Sequence, residues 1–180
     1  MRLIWLALVS PLLAACPGGG GGSGLSGSAS CTSMNTSRSY IDSNCVGCQI
    51  ANPGDVADGS LASFADITLT DMNSQAILRA GNGGTMLPAG GRAGAFVTHR
   101  VDFADGGPSS NLMLLRTYLA GALAETGIAD VEDAGGGVRF ISFTTTTPFD
   151  AVEIEIGHTN AENLSTADVR VYEICSDGRA

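Results

Sequence analysis

The chain contains no lysine: its nine basic residues are all arginines, against 18 acids, for a formal net charge of −9. Such a surface repels phosphate backbones and anionic headgroups, which argues against nucleic-acid binding and against electrostatic docking on a membrane. Aromatic residues make up 6% of the chain; its one tryptophan is Trp5, and its tyrosines are Tyr40, Tyr118 and Tyr172. Flat platforms for stacking a sugar ring or a base are therefore scarce. No apolar run approaches the roughly 20 residues that span a bilayer. There is no G-x-S-x-G and no H-E-x-x-H. Of the two histidines, His99 sits in an alternating apolar stretch and His158 follows Gly157, neither beside a serine or cysteine of evident role. What remains is a chain 44% apolar and only 15% charged, with 25 glycines. That composition is globular rather than disordered, and it favours a sheet-rich fold with many turns.

The N-terminus carries an address. Arg2 precedes the apolar run Leu3-Ile4-Trp5-Leu6-Ala7-Leu8-Val9, Ser10-Pro11 breaks it, and Leu12-Leu13-Ala14-Ala15 leads into Cys16. A basic start, a short apolar centre and small closing residues define a secretory signal over residues 1–15. The Leu13-Ala14-Ala15-Cys16 stretch resembles the lipobox of bacterial lipoprotein signal peptides. The resemblance implies cleavage before Cys16 and a diacylglyceryl group on its sulfur, so that the membrane becomes a partner through lipid. Because Pro17 rather than aspartate follows Cys16, it also implies the outer membrane of the cell envelope. Residues 16–39 are then a lipidated cysteine and a Gly/Ser-rich linker, a flexible coil. Its glycines lack the preceding strand and following Lys-Ser/Thr of a phosphate-binding loop.

Removing Arg2 with the signal leaves 8 basic and 18 acidic residues, a net charge of −10. Removing Cys16 from the thiol count leaves Cys31, Cys45, Cys48 and Cys175. An even number of cysteines in an exported protein points to two disulfides. The pairing stays open: Cys45 and Cys48 can close on each other, or divide between Cys31 and Cys175. The Cys45-Val46-Gly47-Cys48 spacing also occurs in redox and zinc sites, but a second ligand pair and a thioredoxin-like βαβ pattern are both missing.

About 140 residues, 40–177, remain for one domain, with a tail at 178–180. Short apolar segments alternate there with turn residues. Phe64–Thr70 reads as a strand with Ala65, Ile67 and Leu69 on one face, and Gln75–Ala80 as another. In Ala95–Phe103, residues Val97, His99, Val101 and Phe103 share a face. Asn111–Glu125 fits either a helical stripe (Leu112, Leu115, Leu119, Leu123) or two strands meeting at Ala120-Gly121; the surroundings favour strands. Val138–Thr146, the segment around Val152, Ile154 and Ile156, and Ala167–Cys175 complete eight or nine strands. The predicted fold is all-β, an antiparallel jelly-roll sandwich.

The stretch Cys48–Phe64 reads as a loop with a tight Asp58-Gly59 turn, opening into a strand at an aromatic residue. Its run Ala57-Asp58-Gly59-Ser60-Leu61-Ala62-Ser63-Phe64 resembles the A-x-D-G-x-x-x-T/S-aromatic signature of the galactose-binding-like, or discoidin-type, superfamily found in modules of bacterial surface proteins. The likeness continues at Leu115–Gly121, Pro148–Ile154 and Val169–Ile174. It implies that Asp58, with Glu173 on the last strand, joins in holding a structural calcium; no other cofactor is required. Strict alternation puts Glu173 on the side of Val169 and Val171, where an unpaired carboxylate is costly, so either the strand bulges or Glu173 has a partner. The resemblance also implies a ligand site on loops at one end of the sandwich. Arg79, Arg92, Arg100 and Arg116 are suited to anionic sugars, although scattered arginines are ordinarily surface. Glu153 and Glu155 share a strand face about 7 Å apart, a spacing loosely compatible with glycoside hydrolysis, but alternation reads more simply as a solvated face. The expectation is a lipid-anchored envelope protein, not an enzyme, whose sandwich binds glycan or protein. A purely structural envelope lipoprotein is the alternative, and a hydrolase of unrecognised type the third reading.

Overall fold

A computed structural model describes residues 31–34, 41–70, 73–99, 113–127, 130–157 and 167–177. They form twelve strands: β1 (Thr32–Ser33), β2 (Ile41–Val46), β3 (Cys48–Ala51), β4 (Ala65–Leu69), β5 (Gln75–Gly81), β6 (Arg92–His99), β7 (Met113–Leu119), β8 (Ala122–Gly127), β9 (Asp130–Gly135), β10 (Val138–Thr144), β11 (Ala151–Gly157) and β12 (Ala167–Asp177). A single 3-10 turn at Pro53–Ala57 is the one helical element among them. The strands build two antiparallel sheets, one of seven strands in the order β3-β4-β12-β6-β10-β9 with β1 added to β12, the other of five in the order β2-β5-β11-β7-β8. The protein is an all-β antiparallel sandwich.

Alternation explains why these segments are strands. Ala65, Ile67 and Leu69 of β4, Ala76, Leu78 and Ala80 of β5, Val152, Ile154 and Ile156 of β11, and Val169 and Val171 of β12 all lie in one buried cluster between the sheets. A period of two places such residues on one face of a pleated strand, and burying that face is what fixes the register. Gly127 marks how closely the layers approach: a Cβ there would fall 2.1 Å from the ring of Phe143.

The ambiguous segment resolves into the β7–β8 hairpin. Leu119 pairs with Ala122, and the two residues between, Ala120 and Gly121, both have positive φ (51° and 82°). Two left-handed residues give a hairpin connection whose twist matches the flanking strands. Ala120 is strained there, and Asp150 Oδ2 holds it by accepting its backbone N–H at 3.0 Å.

Three segments differ from the sequence reading. The stretch taken as a loop from Cys48 contains β3 and the 3-10 turn. Ile41–Val46 and Asp130–Gly135 are strands too, at sheet edges and too polar to announce themselves. The strand expected to run to Phe103 is described only to His99; Val101, Phe103, Arg100 and the His158 loop lie outside the described residues, as do Cys16, the signal and most of the linker. Within the stretch assigned to the linker, Thr32 and Ser33 pair with Ser176 and Cys175.

The cysteine pairing is Cys31 with Cys175 and Cys45 with Cys48. The first closes a separation of 144 residues and pins the N-terminal segment to the last strand; the second closes a separation of 3 at the point where the chain passes from the five-stranded sheet to the seven-stranded one.

Candidate functional site

Asp58 and Glu173 come to the same turn. Glu173 is 4% exposed, and its Oε2 accepts the Gly59 N–H at 3.0 Å. The strand also bulges between Val171 and Glu173, which shifts the inward parity so that Ile174 joins Val169 and Val171 in the core. Asp58 turns its two oxygens to the Ser60 N–H (2.8 Å) and the Ser63 hydroxyl (2.6 Å). Among the described residues no group of three or more His, Cys, Asp or Glu could hold a metal ion. Both carboxylates accept protein donors in this turn. The turn closes on its own hydrogen bonds.

The outer face of the five-stranded sheet is built differently. In the antiparallel register Glu153 of β11 lies directly opposite Arg79 of β5 and Arg116 of β7. Directly opposed residues project from the same face, so two guanidiniums flank one carboxylate. Arg79 Nε donates to Glu153 Oε2 at 2.8 Å, and its Nη2 donates to the same oxygen. Arg116 Nη1 donates to Glu153 Oε1 at 2.9 Å and also to Glu155 Oε2. Tyr118 donates its hydroxyl to Glu153 Oε1 at 3.1 Å, and Gln75 Nε2 donates to Glu155 Oε1 at 2.6 Å. The Arg79 guanidinium lies 3.7 Å from the centre of the Tyr118 ring, a cation–π stack.

This corrects the reading of Glu153 as part of a solvated face: its side chain is 2% exposed. Nor are Arg79, Arg92 and Arg116 unattached surface charges. Arg92 Nη2 pairs with Glu132 on the other sheet. Both carboxylates of the Glu153/Glu155 pair are engaged by arginines, Glu153 by Arg79 and Arg116 and Glu155 by Arg116. Burial pushes the Tyr118 hydroxyl up from its ordinary range, and the neighbouring Glu153 charge and hydrogen bond push it the same way. Burial alone would lower Arg116, but hydrogen bonds to Glu153 and Glu155 outweigh it and hold the guanidinium charged.

At one end of this face the network opens into a cleft of about 390 Å³. Its walls come from three places: Gly81, Gly83 and Gly84 after β5, Gly121 in the β7–β8 hairpin, and Asp150-Ala151 at the start of β11. Arg79 and Tyr118 also line it. Asp150 ties the walls together: its N–H donates to the Tyr118 carbonyl at 2.8 Å, its carbonyl accepts the Asn82 N–H at 2.7 Å, and its carboxylate holds Ala120. A Cβ at Gly84 or Gly121 would meet nothing within 4 Å, so the rim there faces open space. Both have positive φ (79° and 82°), where glycine is unstrained. The cleft thus presents one aromatic ring, one guanidinium and one carboxylate to a small ligand. Sequence reading singled out Arg79 and Tyr118 but not Asp150. The Pro148–Ile154 motif contained it, without a sign that its strand would start beside the hairpin.

No protein-family model matches the chain, and no curated relative does. Among solved structures it is similar to a family 32 carbohydrate-binding module from C. perfringens in complex with galactose, at 13% identity and a TM-score of 0.44, covering 79% of this chain and 98% of that one. A family 29 carbohydrate-binding module shares 10% identity with a TM-score of 0.42, over 77% and 82%. A family 32 module from a family 31 glycoside hydrolase of Clostridium perfringens shares 11%, with a TM-score of 0.42, over 81% and 94%.

Proposed function

We propose that this chain is a lipid-anchored, non-catalytic binding module of the bacterial cell envelope that holds a glycan in the cleft beside Tyr118. The observation that carries the reading is the convergence there of an aromatic ring, hydrogen-bonding side chains and an open glycine rim. Small-ligand sites combine an apolar surface with a few placed polar groups in about 300–1,000 Å³, and this cleft lies at the small end of that range. Tyr118 supplies aromatic surface and Asp150 an acceptor, with the Arg79 guanidinium held in place by Glu153. The anchor is the lipid on Cys16 in the outer membrane, and the Gly/Ser stretch is the reach between lipid and domain.

A glycan array probed with the chain purified in detergent tests this reading. Saturable binding that Tyr118→Ala lowers by at least tenfold supports it. A silent array favours a protein ligand or a purely structural envelope role instead. Metabolic acyl labelling tests the anchor: the label disappears in Cys16→Ser, and a mutant that keeps it has no lipid there. Calcium at Asp58 and Glu173 rests on the superfamily resemblance alone. A calcium-dependent rise in Tm that Glu173→Gln abolishes supports the ion, and an unchanged Tm removes it.

A further inference from the structure

We infer that the cleft takes a neutral, hydroxyl-rich sugar and rejects uronic, sialylated or sulfated ones, an inference that rests on the glycan reading above. Arginine is the usual recogniser of carboxylate and sulfate because its fork of N–H donors matches two oxygens at once. In this cleft the fork is already engaged. Arg79 places Nε and Nη2 on Glu153 Oε2, and its plane is stacked 3.7 Å from the Tyr118 ring centre. Arg116, the next guanidinium on the face, is shared between Glu153 and Glu155. Two guanidiniums against two carboxylates sum to zero formal charge. Glu153 is 2% exposed, so drawing Arg79 toward an anionic ligand would strip a buried carboxylate of one of its partners, which is strongly unfavourable.

Asp150 points the same way. One oxygen, Oδ2, accepts the Ala120 N–H at 3.0 Å; Oδ1 has no protein donor among the described residues. A carboxylate oxygen with open lone pairs accepts hydroxyl donors and repels anions. The chain's net charge of −9 adds to that repulsion at longer range. The cleft therefore offers aromatic surface and a carboxylate for sugar hydroxyls, and among the described residues it has no uncommitted cation for an acid.

Isothermal titration of the full chain in detergent with matched probes tests the inference. The probes are a hexose-terminated oligosaccharide from the array and the same compound with its terminal C6 hydroxymethyl oxidised to a carboxylate. The neutral probe should bind at least tenfold more tightly. Raising the salt from about 0.01 to about 1 M shortens the screening length from about 30 to about 3 Å and should shrink the gap. Asp150→Asn, which keeps an acceptor for the Ala120 N–H, should shrink it as well. Equal or tighter binding of the oxidised probe overturns the charge selection and leaves the glycan reading standing. A gap indifferent to salt also overturns it. Binding of neither probe overturns the glycan reading, and the inference with it.

Discussion

On the outer face of the seven-stranded sheet, Phe96 and Phe140 stack at 4.7 Å and are buried with Ala134, Val138 and Cys175, packed against Cys31 and Tyr172. On the outer face of the five-stranded sheet, the corresponding cover is Arg79, Arg116, Glu153, Glu155 and Tyr118, bound to one another by hydrogen bonds and ion pairs. Both faces lie outside the main core, and both are largely closed to water. The apolar face is closed by packing and by the Cys31–Cys175 disulfide, with the Arg92 guanidinium 4.9 Å from the Phe140 ring. Gly94 leaves the room Phe140 needs, since a Cβ there would come within 3.0 Å of the ring. The charged face is closed by complementary charge, and it opens at one end into a cleft bearing polar groups. One face adds stability; the other adds a place to bind. A closed polar network holds side chains in fixed geometry, which is what a ligand with many hydroxyls requires.

The comparison can be broken most forcefully at the apolar face. Replacing Cys31 and Cys175 together by serine reopens a 144-residue separation and should cost about 5 kcal/mol by chain entropy, read by chemical denaturation. Glycan affinity should not change where the protein remains folded. A parallel loss of affinity would show that the two faces are not independent. Phe140→Ala follows at about 4 kcal/mol from lost burial and the cavity left behind, again without an effect at the cleft.

At the charged face, Glu153→Ala leaves Arg79 and Arg116 partly buried without their shared partner and should cost about 3 kcal/mol. Unlike Phe140→Ala, it should also weaken glycan binding, because the Arg79–Tyr118 stack loses its anchor. The pair Cys45→Ser with Cys48→Ser closes only a short loop, so it should cost about 1.5 kcal/mol. A loss as large as that of the long-range pair would show that the sheet-to-sheet crossing depends on its disulfide more than loop length explains.

Much of the sandwich could be read from alternation. Ile67, Leu78, Ile154 and Val169 each sit in strands that bury one face, and period two is visible wherever that holds. The edge strand Asp130–Gly135 has no such pattern, because its conformation comes from pairing with β10 rather than from its own side chains. The Val152–Ile156 segment shows the limit most clearly. Alternation correctly put Glu153 and Glu155 together on the face opposite the core. It could not show that the face is covered, because the covering arginines lie 74 and 37 residues away in sequence. The cleft was hidden for the same reason: its glycines lie in two turns far apart in sequence, after β5 and between β7 and β8, and only the order β5-β11-β7 brings them to one place.

The smallest effect expected is one of pH. Glu125 of β8 accepts the backbone N–H and hydroxyl groups of Thr146 and Thr147. Burial alone would raise its carboxyl, but those donors outweigh it and hold it below the ordinary value. A depressed carboxyl contributes stability that is fully present above the unfolded value and lost as pH falls through the folded one. Acid melts should therefore show Glu125→Gln losing less stability than the parent chain below about pH 4.5. Identical acid slopes would remove Glu125 from the account.

The central claim is that the ligand site is the cleft on the charged face. Amide chemical-shift mapping during titration with a neutral oligosaccharide tests it most directly. The account predicts shifts concentrated at Gly81, Gly83, Gly84, Tyr118, Gly121 and Asp150, saturating together. Saturable shifts centred instead on Phe96, Ala134 and Phe140 of the opposite sheet would contradict it.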